Sequence, residues 1–309
     1  MKTSIALLFG CSMQTAAVRD RPEERERESG MKEIVINKSI EKEQINTTIP
    51  KDILEFLEVE NCEDFPIATY FKTDDLVKIA EEILQAEQVK RIMKTEYKRK
   101  YLNSVLLYGP PGTGKTTFAR YIAYRMELPF VYLNFSKIVQ GGVLGNSIQN
   151  IYKIFTGLSD VNCIFTLDEI DTIATNRNHE SSVTGGELSR MTVTVMQMLD
   201  AYKKNYAKPV VLGLTNCEAK LDKALISRFS IHRKVDILKN EDKMRYIKLL
   251  LDDIHVTLDD DIVKNYCANN HDLAQRGIEN DINRGLFQWI AGGKEKGKFV
   301  LEHIQDEDL

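Results

Sequence analysis

Residues 109–117 bring glycines, a lysine and threonines together at a spacing that suits phosphate binding. They read "GPPGTGKTT". Glycines allow successive backbone N–H groups to turn towards an anion, a lysine can reach the outer phosphates, and a threonine hydroxyl can bind Mg²⁺. Thr116 is thus a predicted metal ligand. The predicted nucleotide-binding residues of the loop are Gly109, Pro110, Pro111, Gly112, Thr113, Gly114, Lys115, Thr116 and Thr117.

Such a loop needs a strand before it and a helix after it. Residues 105–108, "VLLY", predict a short buried strand, and Phe118, Ile122 and Met126 recur every fourth residue as one face of a helix. The helix would direct the positive end of its dipole towards the anion. A glycine-rich corner without a ligand is the alternative interpretation, and the elements on both sides favour nucleotide binding over it.

A second chemical motif lies in "NCIFTLDEIDTIA", residues 162–174. Residues 163–167 predict a strand whose end delivers two carboxylates, and strand ends are where α/β sheets place ligands. Asp168 is suited to binding Mg²⁺ beside Thr116, and Glu169 is suited to act as the base that orients and deprotonates an attacking water. Asp171 predicts a helix start. Taken alone, this segment would be read as a surface turn, and the phosphate loop upstream favours the catalytic interpretation.

Composition indicates a globular enzyme. The 309 residues are 43% hydrophobic and 28% charged, enough for a sizeable core divided into more than one unit. A net charge of −4 provides no overall basic field for nucleic acid or anionic lipid. The cysteines are scattered without the spacing of a zinc site or a disulfide framework, which favours a reducing cytoplasm. They are Cys11, Cys62, Cys163, Cys217 and Cys267.

The N-terminal segment "MKTSIALLFGC" has the outline of a lipoprotein signal. Its apolar run is short for such a signal, and no other stretch has transmembrane length, so we expect a cytoplasmic protein with no membrane association. Residues 19–30, "RDRPEERERESG", are too charged to bury apolar surface. Residues 1–30 are therefore predicted to be a disordered extension.

The sequence "GPPGTGKT" followed by "IFTLDEID" resembles the AAA+ ATPases, in particular the AAA subgroup of ring-forming remodelling ATPases. The resemblance extends from Asp74 to the C-terminus. It implies an α/β P-loop fold, with a parallel five-stranded sheet of order 5-1-4-3-2 flanked by helices and a small helical lid. It implies a homo-oligomer, commonly a hexamer, that hydrolyses Mg-ATP between subunits. The expected division is 31–72 of unknown role, 73–237 as the large ATPase subdomain and 238–309 as the lid.

The resemblance assigns roles to three further residues. Asn216, after the strand-like "PVVLGLT", resembles the polar residue that positions the attacking water. Arg228, in "LDKALISRFS", resembles the arginine finger that acts on a neighbour's ATP, and Arg276, in "AQRGIENDINRGL", resembles a sensor of its own subunit's phosphates. The alternatives are a turn-forming asparagine, a surface arginine paired with a carboxylate, and a solvated arginine at a helix start.

In this family, the loops that face the central channel of the ring usually contact the molecule on which the ring acts, its client. Val143, Leu144 and Gly145 stand where many protein-threading relatives have an aromatic, an aliphatic and a glycine, and His179 reads as an exposed residue of a second loop. Remodelling of a protein partner is the preferred interpretation, because no basic-aromatic cluster for single-stranded DNA occurs in this region. A DNA-acting ATPase such as a helicase or clamp loader is the alternative, and a regulatory switch is a third.

Overall fold

A sheet between two layers of helices forms the centre of the structure. The structure is a computed structural model, and it describes residues 46–135, 138, 147–174, 183–293 and 299–303. These residues belong to one compact unit, residues 45–309. The predicted extension 1–30 and the loop residues Val143, Leu144, Gly145 and His179 lie outside the described ranges.

Among the described residues, six strands build the sheet in the order β1-β3-β4-β5-β2-β6. Strands β2 to β6 pair in parallel as β6-β2-β5-β4-β3, which confirms the predicted order 5-1-4-3-2. The strands are β1 (Glu58–Glu60), β2 (Ser104–Tyr108), β3 (Phe130–Asn134), β4 (Ile164–Asp168), β5 (Val210–Thr215) and β6 (Ile231–Lys234).

The sixth strand corrects the expected count of five. Strand β1 pairs antiparallel with β3 and extends the sheet at that edge. Its sequence is "EVE", and Val59 is exposed, so no alternation of apolar residues marks it as a strand. A residue distant in sequence helps to hold it in place: the Arg120 guanidinium donates to both carboxylate oxygens of Glu60, at 2.7 and 2.8 Å.

Helices cover both faces of the sheet. Helices α1 and α2 pack on one face, and α3 and α4 pack on the other. No helix in the described ranges combines the length and hydrophobicity that a membrane span needs. The α-helices of these ranges are α1 (Asp74–Thr95), α2 (Lys115–Met126), α3 (Ser147–Leu158), α4 (Val183–Asn205), α5 (Lys223–Ile226), α6 (Asn240–Asp253), α7 (Asp260–Asn269) and α8 (Gln275–Ala291).

The central strands β2, β4 and β5 are buried on both faces, which explains why they read as nearly continuous apolar runs. Successive side chains alternate between the two helical layers. Leu106 and Phe165 belong to the hydrophobic cluster on the α3–α4 side, whereas Leu107 and Phe130 belong to the cluster on the α1–α2 side. The phosphate loop and the acidic motif therefore stand at the ends of fully buried strands, which fix their positions.

A third hydrophobic cluster lies in the C-terminal helices. The apolar stripes of α6 and α8 meet there, with Ile247, Ile278 and Ile282 buried. The cluster begins at Leu238, whereas Val235 belongs to the cluster on the α1–α2 side of the sheet. Phe71, which precedes α1, also packs into this third cluster. The core of the C-terminal helices therefore includes a residue from the segment between β1 and α1.

Gly213 in β5 leaves the space that Phe229 occupies. A Cβ at this position would lie 2.6 and 2.8 Å from two ring atoms of Phe229, the residue that follows Arg228. We expect Gly213→Ala to lower the free energy of unfolding by about 1–3 kcal/mol, because the ring cannot move without disturbing the core. Urea unfolding monitored by circular dichroism measures the change.

Gly186→Ala is the matched control for this prediction. Gly186 lies in α4, and a Cβ there would meet no atom within 4 Å. The same substitution should therefore stabilise the protein by roughly 0.5–1 kcal/mol through the lower chain entropy and higher helix propensity of alanine. Equal effects of both variants would contradict the packing argument.

Candidate functional site

The predicted phosphate loop connects β2 to α2. Gly109 has φ 147° and lies against Val235, the residue after β6, so that a Cβ would stand 2.1 Å from the Val235 carbonyl oxygen. Gly114 precedes the first residue of α2 with φ 83°, and the space around its Cβ position is open to 4 Å. The loop thus leads directly into the N-terminus of α2, where backbone N–H groups and the helix dipole can bind an anion.

Lys115 is the first residue of α2 and its side chain is buried. Its ammonium donates to the carbonyl oxygens of Gly109 and Pro110 at 2.9 and 2.7 Å. Burial lowers the pKa of Lys115 from its usual 10.5 to about 8, and the charge of Arg276 acts in the same direction. Asp168 raises this pKa, but its negative charge does not offset the burial. A phosphate beside Lys115 would supply the missing countercharge.

The phosphate loop and the acidic motif meet through one hydrogen bond. The Thr116 hydroxyl donates to Asp168 Oδ2 at 3.1 Å, across the 52 residues that separate them in the chain. Strand β5 lies between β2 and β4, so the sheet itself sets the separation of these side chains. The structure therefore brings together the two residues that the sequence predicted as metal ligands.

Asp168 has two further donors. The Tyr132 hydroxyl donates to Asp168 Oδ2 at 2.9 Å, and the backbone N–H of Glu169 donates to Asp168 Oδ1 at 2.7 Å. Burial and the negative charge of Asp168 raise the pKa of Tyr132 to about 12, so this phenol stays protonated near neutral pH. Asn134 in turn donates to the Tyr132 oxygen at 3.3 Å.

The turn after β4 holds the remaining acidic residues. Glu169 has a left-handed backbone with φ 51°, uncommon for a non-glycine residue, and it precedes the 3₁₀ turn Ile170–Thr172. Asp171 lies in the first turn of this short 3₁₀ helix, in agreement with its predicted helix-start position, although the N-cap residue is Glu169. The Asp171 carboxylate accepts a hydrogen bond from the Thr215 hydroxyl at 2.9 Å.

Asn216 follows the last residue of β5 and is exposed. The Thr215 hydroxyl that donates to Asp171 also accepts a hydrogen bond from the Cys217 N–H, at 3.0 Å. This pair of bonds ties the backbone on both sides of Asn216 to the acidic turn. The structure thus places Asn216 at the same strand-end edge as Asp168.

The first turn of α8 lies on the phosphate loop. The backbone N–H of Arg276 donates to the Gly112 carbonyl oxygen at 3.1 Å, and the Gln275 amide donates to the Thr113 carbonyl oxygen at 3.1 Å. The Arg276 side chain is exposed. The lid helix thus contacts the loop directly, with its arginine close enough to affect the pKa of Lys115.

Arg228 lies apart from this group. It follows α5, and its guanidinium donates to Asp200 Oδ2 on α4 at 3.2 and 3.3 Å and to the Ala224 carbonyl oxygen at 2.5 Å. Its side chain is 29% exposed. Among the described residues, no hydrogen bond or ion pair joins Arg228 to the phosphate loop. Within one chain it is therefore a surface arginine paired with a carboxylate.

The site contains residues that the sequence reasoning missed, namely Tyr132, Thr215 and Gln275. A signal existed for Tyr132, since Tyr132 and Asn134 alternate as polar residues at the end of an otherwise apolar strand. In the register of β3 and β4, Asn134 stands opposite Asp168. Gln275 had no such signal, because its contact depends on how the lid packs.

The donor set fits Mg²⁺ in combination with a nucleotide. The Thr116 hydroxyl and the Asp168 carboxylate offer hard oxygen ligands, and the N-terminus of α2 offers backbone N–H groups that can bind phosphates. The described residues include no cluster of three or more acidic, histidine or cysteine side chains that could hold a metal alone. Mg²⁺ is usually held by one or two carboxylates together with substrate phosphates, so this set is sufficient.

Comparison with known proteins gives the family. Residues 105–237 match the model of the ATPase family associated with various cellular activities (AAA). The chain is 24% identical over 258 residues to a 26S proteasome regulatory subunit homologue of Methanocaldococcus jannaschii, an alignment covering 72% of this chain and 68% of that protein. It is 26% identical over 211 residues to 26S proteasome regulatory subunit 8 of Caenorhabditis elegans, covering 65% of this chain and 49% of that protein.

A third relative is 26S proteasome regulatory subunit 10B of Dictyostelium discoideum, 36% identical over 139 residues, which are 44% of this chain and 35% of that protein. The chain thus spans about half or less of the length of these two eukaryotic relatives. Arg276 lies beyond the matched range 105–237, whereas the phosphate loop, the acidic motif, Asn216 and Arg228 lie within it.

Solved structures agree on the fold. The AAA domain of FIGL-1 superposes with a TM-score of 0.60 at 20% identity, over 81% of this chain and 83% of that one. Its complex with ADP gives 0.61 at 19% identity, over 85% and 94%. The family match and the sheet order show that residues 105–237 of this chain are an AAA ATPase domain.

Proposed function

We propose that this AAA+ ATPase binds Mg-ATP at the N-terminus of α2, hydrolyses it within a homo-oligomeric ring, commonly a hexamer in its class, and uses the energy to remodel a protein partner. The hydrogen bond from Thr116 to Asp168 carries this proposal, because it joins the phosphate loop to the acidic strand end with Glu169 next to it. We place the protein in the cytoplasm.

Each residue of the site has a defined task in this proposal. Backbone N–H groups of residues 109–117 and the Lys115 ammonium bind the phosphates, and Thr116 and Asp168 hold Mg²⁺. When bound, the metal neutralises negative charge on the phosphates. Glu169 accepts a proton from the attacking water, and Asn216 orients that water.

The lid takes part through α8. The Arg276 N–H is anchored on the phosphate loop at Gly112, so a small rotation of the lid would move the arginine relative to the phosphates. We propose that the Arg276 guanidinium contacts the phosphates of its own subunit. We also propose the division into a large ATPase subdomain, residues 73–237, and a lid, residues 238–309, with the role of residues 31–72 open.

A protein client is favoured by the relatives, which are named as proteasome regulatory subunits. A DNA-acting ATPase remains the alternative. The deciding measurement is the rate of ATP hydrolysis with unfolded protein, single-stranded DNA or duplex DNA added separately. Stimulation by unfolded protein alone supports the proposal, and stimulation by DNA alone would replace it with the alternative.

Lys115→Ala should weaken ATP binding by about 2–5 kcal/mol, which is roughly 30- to 5,000-fold in affinity, because the phosphates would lose their buried countercharge. Isothermal titration calorimetry measures the affinity. Wild-type affinity in the variant would contradict the assignment.

Proton uptake on ATP binding gives a second calorimetric test of the role of Lys115. With the pKa of Lys115 near 8 in the free protein, about half of the lysines are neutral at that pH. Phosphates favour the ammonium and raise this pKa, so binding near pH 8 should take up protons. Titrations in buffers with different ionisation enthalpies measure this uptake, which should disappear in Lys115→Ala.

Glu169→Gln should lower turnover by about 10²–10⁴-fold while ATP stays bound, because an amide keeps the shape of the side chain but cannot accept the proton. Parallel measurements of phosphate release and ATP affinity separate the two effects. Unchanged turnover would show that another group is the base.

Arg228→Ala should lower turnover by about 10³–10⁵-fold if Arg228 acts as the finger on a neighbour's ATP. Asp200→Ala is the matched control, since it removes the carboxylate partner and leaves the arginine, and it should keep near-normal turnover. Equal turnover in both variants and the wild type would make Arg228 a surface residue.

Mixing experiments test whether Arg228 acts between subunits. Arg228→Ala subunits keep an intact phosphate loop, and Lys115→Ala subunits keep an intact Arg228. A mixed oligomer should regain hydrolysis at interfaces that combine the two intact parts. Wild type mixed with Lys115→Ala shows separately whether one inactive site stops the whole ring.

A further inference from the structure

The Tyr132 side chain reaches from β3 to the carboxylate of the neighbouring strand. In the register of β3 and β4, Asn134 stands opposite Asp168 and Tyr132 stands opposite Thr166. Residues two apart share one face of a strand, so Tyr132, Asn134 and Asp168 project to the same side. The 2.9 Å bond from the Tyr132 hydroxyl to Asp168 Oδ2 is the result.

Both oxygens of Asp168 are held by donors. Oδ2 accepts from Tyr132 and from Thr116, and Oδ1 accepts from the Glu169 N–H. Thr116 belongs to the phosphate loop, and Glu169 belongs to the acidic turn, both of which we place in direct contact with Mg-ATP. Tyr132 is the donor that comes from a rigid strand outside these two segments.

The direction of the Tyr132 proton is also set. Asn134 Nδ2 donates to the Tyr132 oxygen at 3.3 Å, so the phenol accepts on one side and directs its own proton towards Asp168. A phenylalanine would fill the same volume beside the apolar residues of this face without making either bond. The hydroxyl therefore serves the carboxylate rather than the packing of the sheet.

We propose that Tyr132 is a positioning residue for the metal: it orients Asp168 so that the carboxylate and Thr116 can bind Mg²⁺ together. This inference rests on the proposed function, since it assumes that Asp168 and Thr116 hold the metal. Partners that orient metal ligands through hydrogen bonds typically contribute about 10–100-fold to metal affinity. Tyr132 itself touches neither the metal nor the nucleotide in this assignment.

The test is Tyr132→Phe, with Mg²⁺ titrated against ATP binding. ATP affinity is measured by calorimetry first with a chelator and then at increasing Mg²⁺. We expect about a 10-fold higher Mg²⁺ concentration at the midpoint of the titration, with unchanged affinity for ATP in the chelator. This readout does not depend on hydrolysis, and a loss of packing alone would not shift it.

Tyr202→Phe is the matched control. Its hydroxyl donates to the Phe155 carbonyl oxygen at 2.6 Å, within the core on the α3–α4 side. The same loss of a phenol bond there should leave the Mg²⁺ midpoint unchanged. Asn134→Ala provides a second variant if Tyr132→Phe does not fold, and it should shift the midpoint in the same direction by a smaller factor.

The outcomes separate this inference from the proposed function. A midpoint shifted in Tyr132→Phe and not in Tyr202→Phe supports it. Mg²⁺ titrations of Tyr132→Phe and the wild type that coincide would overturn it while leaving nucleotide binding intact. A wild-type protein that binds ATP equally with and without Mg²⁺ would overturn the metal assignment and this inference with it.

Discussion

The separation between the ends of β2 and β4 is the constraint on which the site depends. Strand β5 lies between these strands, and all three are parallel and buried on both faces. Their apolar side chains pack against helices on both faces. A shift of one residue along a strand would move each side chain to the opposite face, so packing fixes the register of these strands. The hydrogen bond from Thr116 to Asp168 is thus a consequence of core packing. The buried apolar strands that precede these residues fix the positions of the polar side chains at the sheet edge.

Other contacts of the site are attached to this frame. Tyr132 approaches Asp168 from β3, Thr215 approaches Asp171 from β5, and Gln275 approaches the phosphate loop from the lid. The first two come from the sheet and are fixed by strand register, whereas the third comes from a separate hydrophobic cluster. Contacts within the sheet therefore hold the carboxylates through strand register, whereas the contact of Gln275 depends on how the C-terminal helices pack.

The parallel strands and the candidate site residues at their ends could be predicted from the sequence because those features are local, whereas the strand order followed from the resemblance to the AAA+ ATPases. A buried strand followed by a glycine loop or by two carboxylates is visible within about ten residues. The edge strand β1 was missed because it is short and exposed, and its position depends on Arg120, which lies 60 residues away. The hydrogen bond from Thr215 to Asp171 was missed for a similar reason, since Thr215 lies on another strand.

Because Arg228 forms an ion pair with Asp200, its proposed action on the ATP of a neighbouring subunit requires that this pair can break. The pair is partly exposed, with side chains 29% and 56% accessible, and pairs of this kind contribute about 0–1 kcal/mol. A finger that accelerates hydrolysis by about 10³–10⁵ stabilises the transition state by roughly 4–7 kcal/mol. The restraint is therefore small compared with the gain. Asp200 can hold the guanidinium in place in an isolated chain and still release it when a neighbour's phosphate offers a stronger partner.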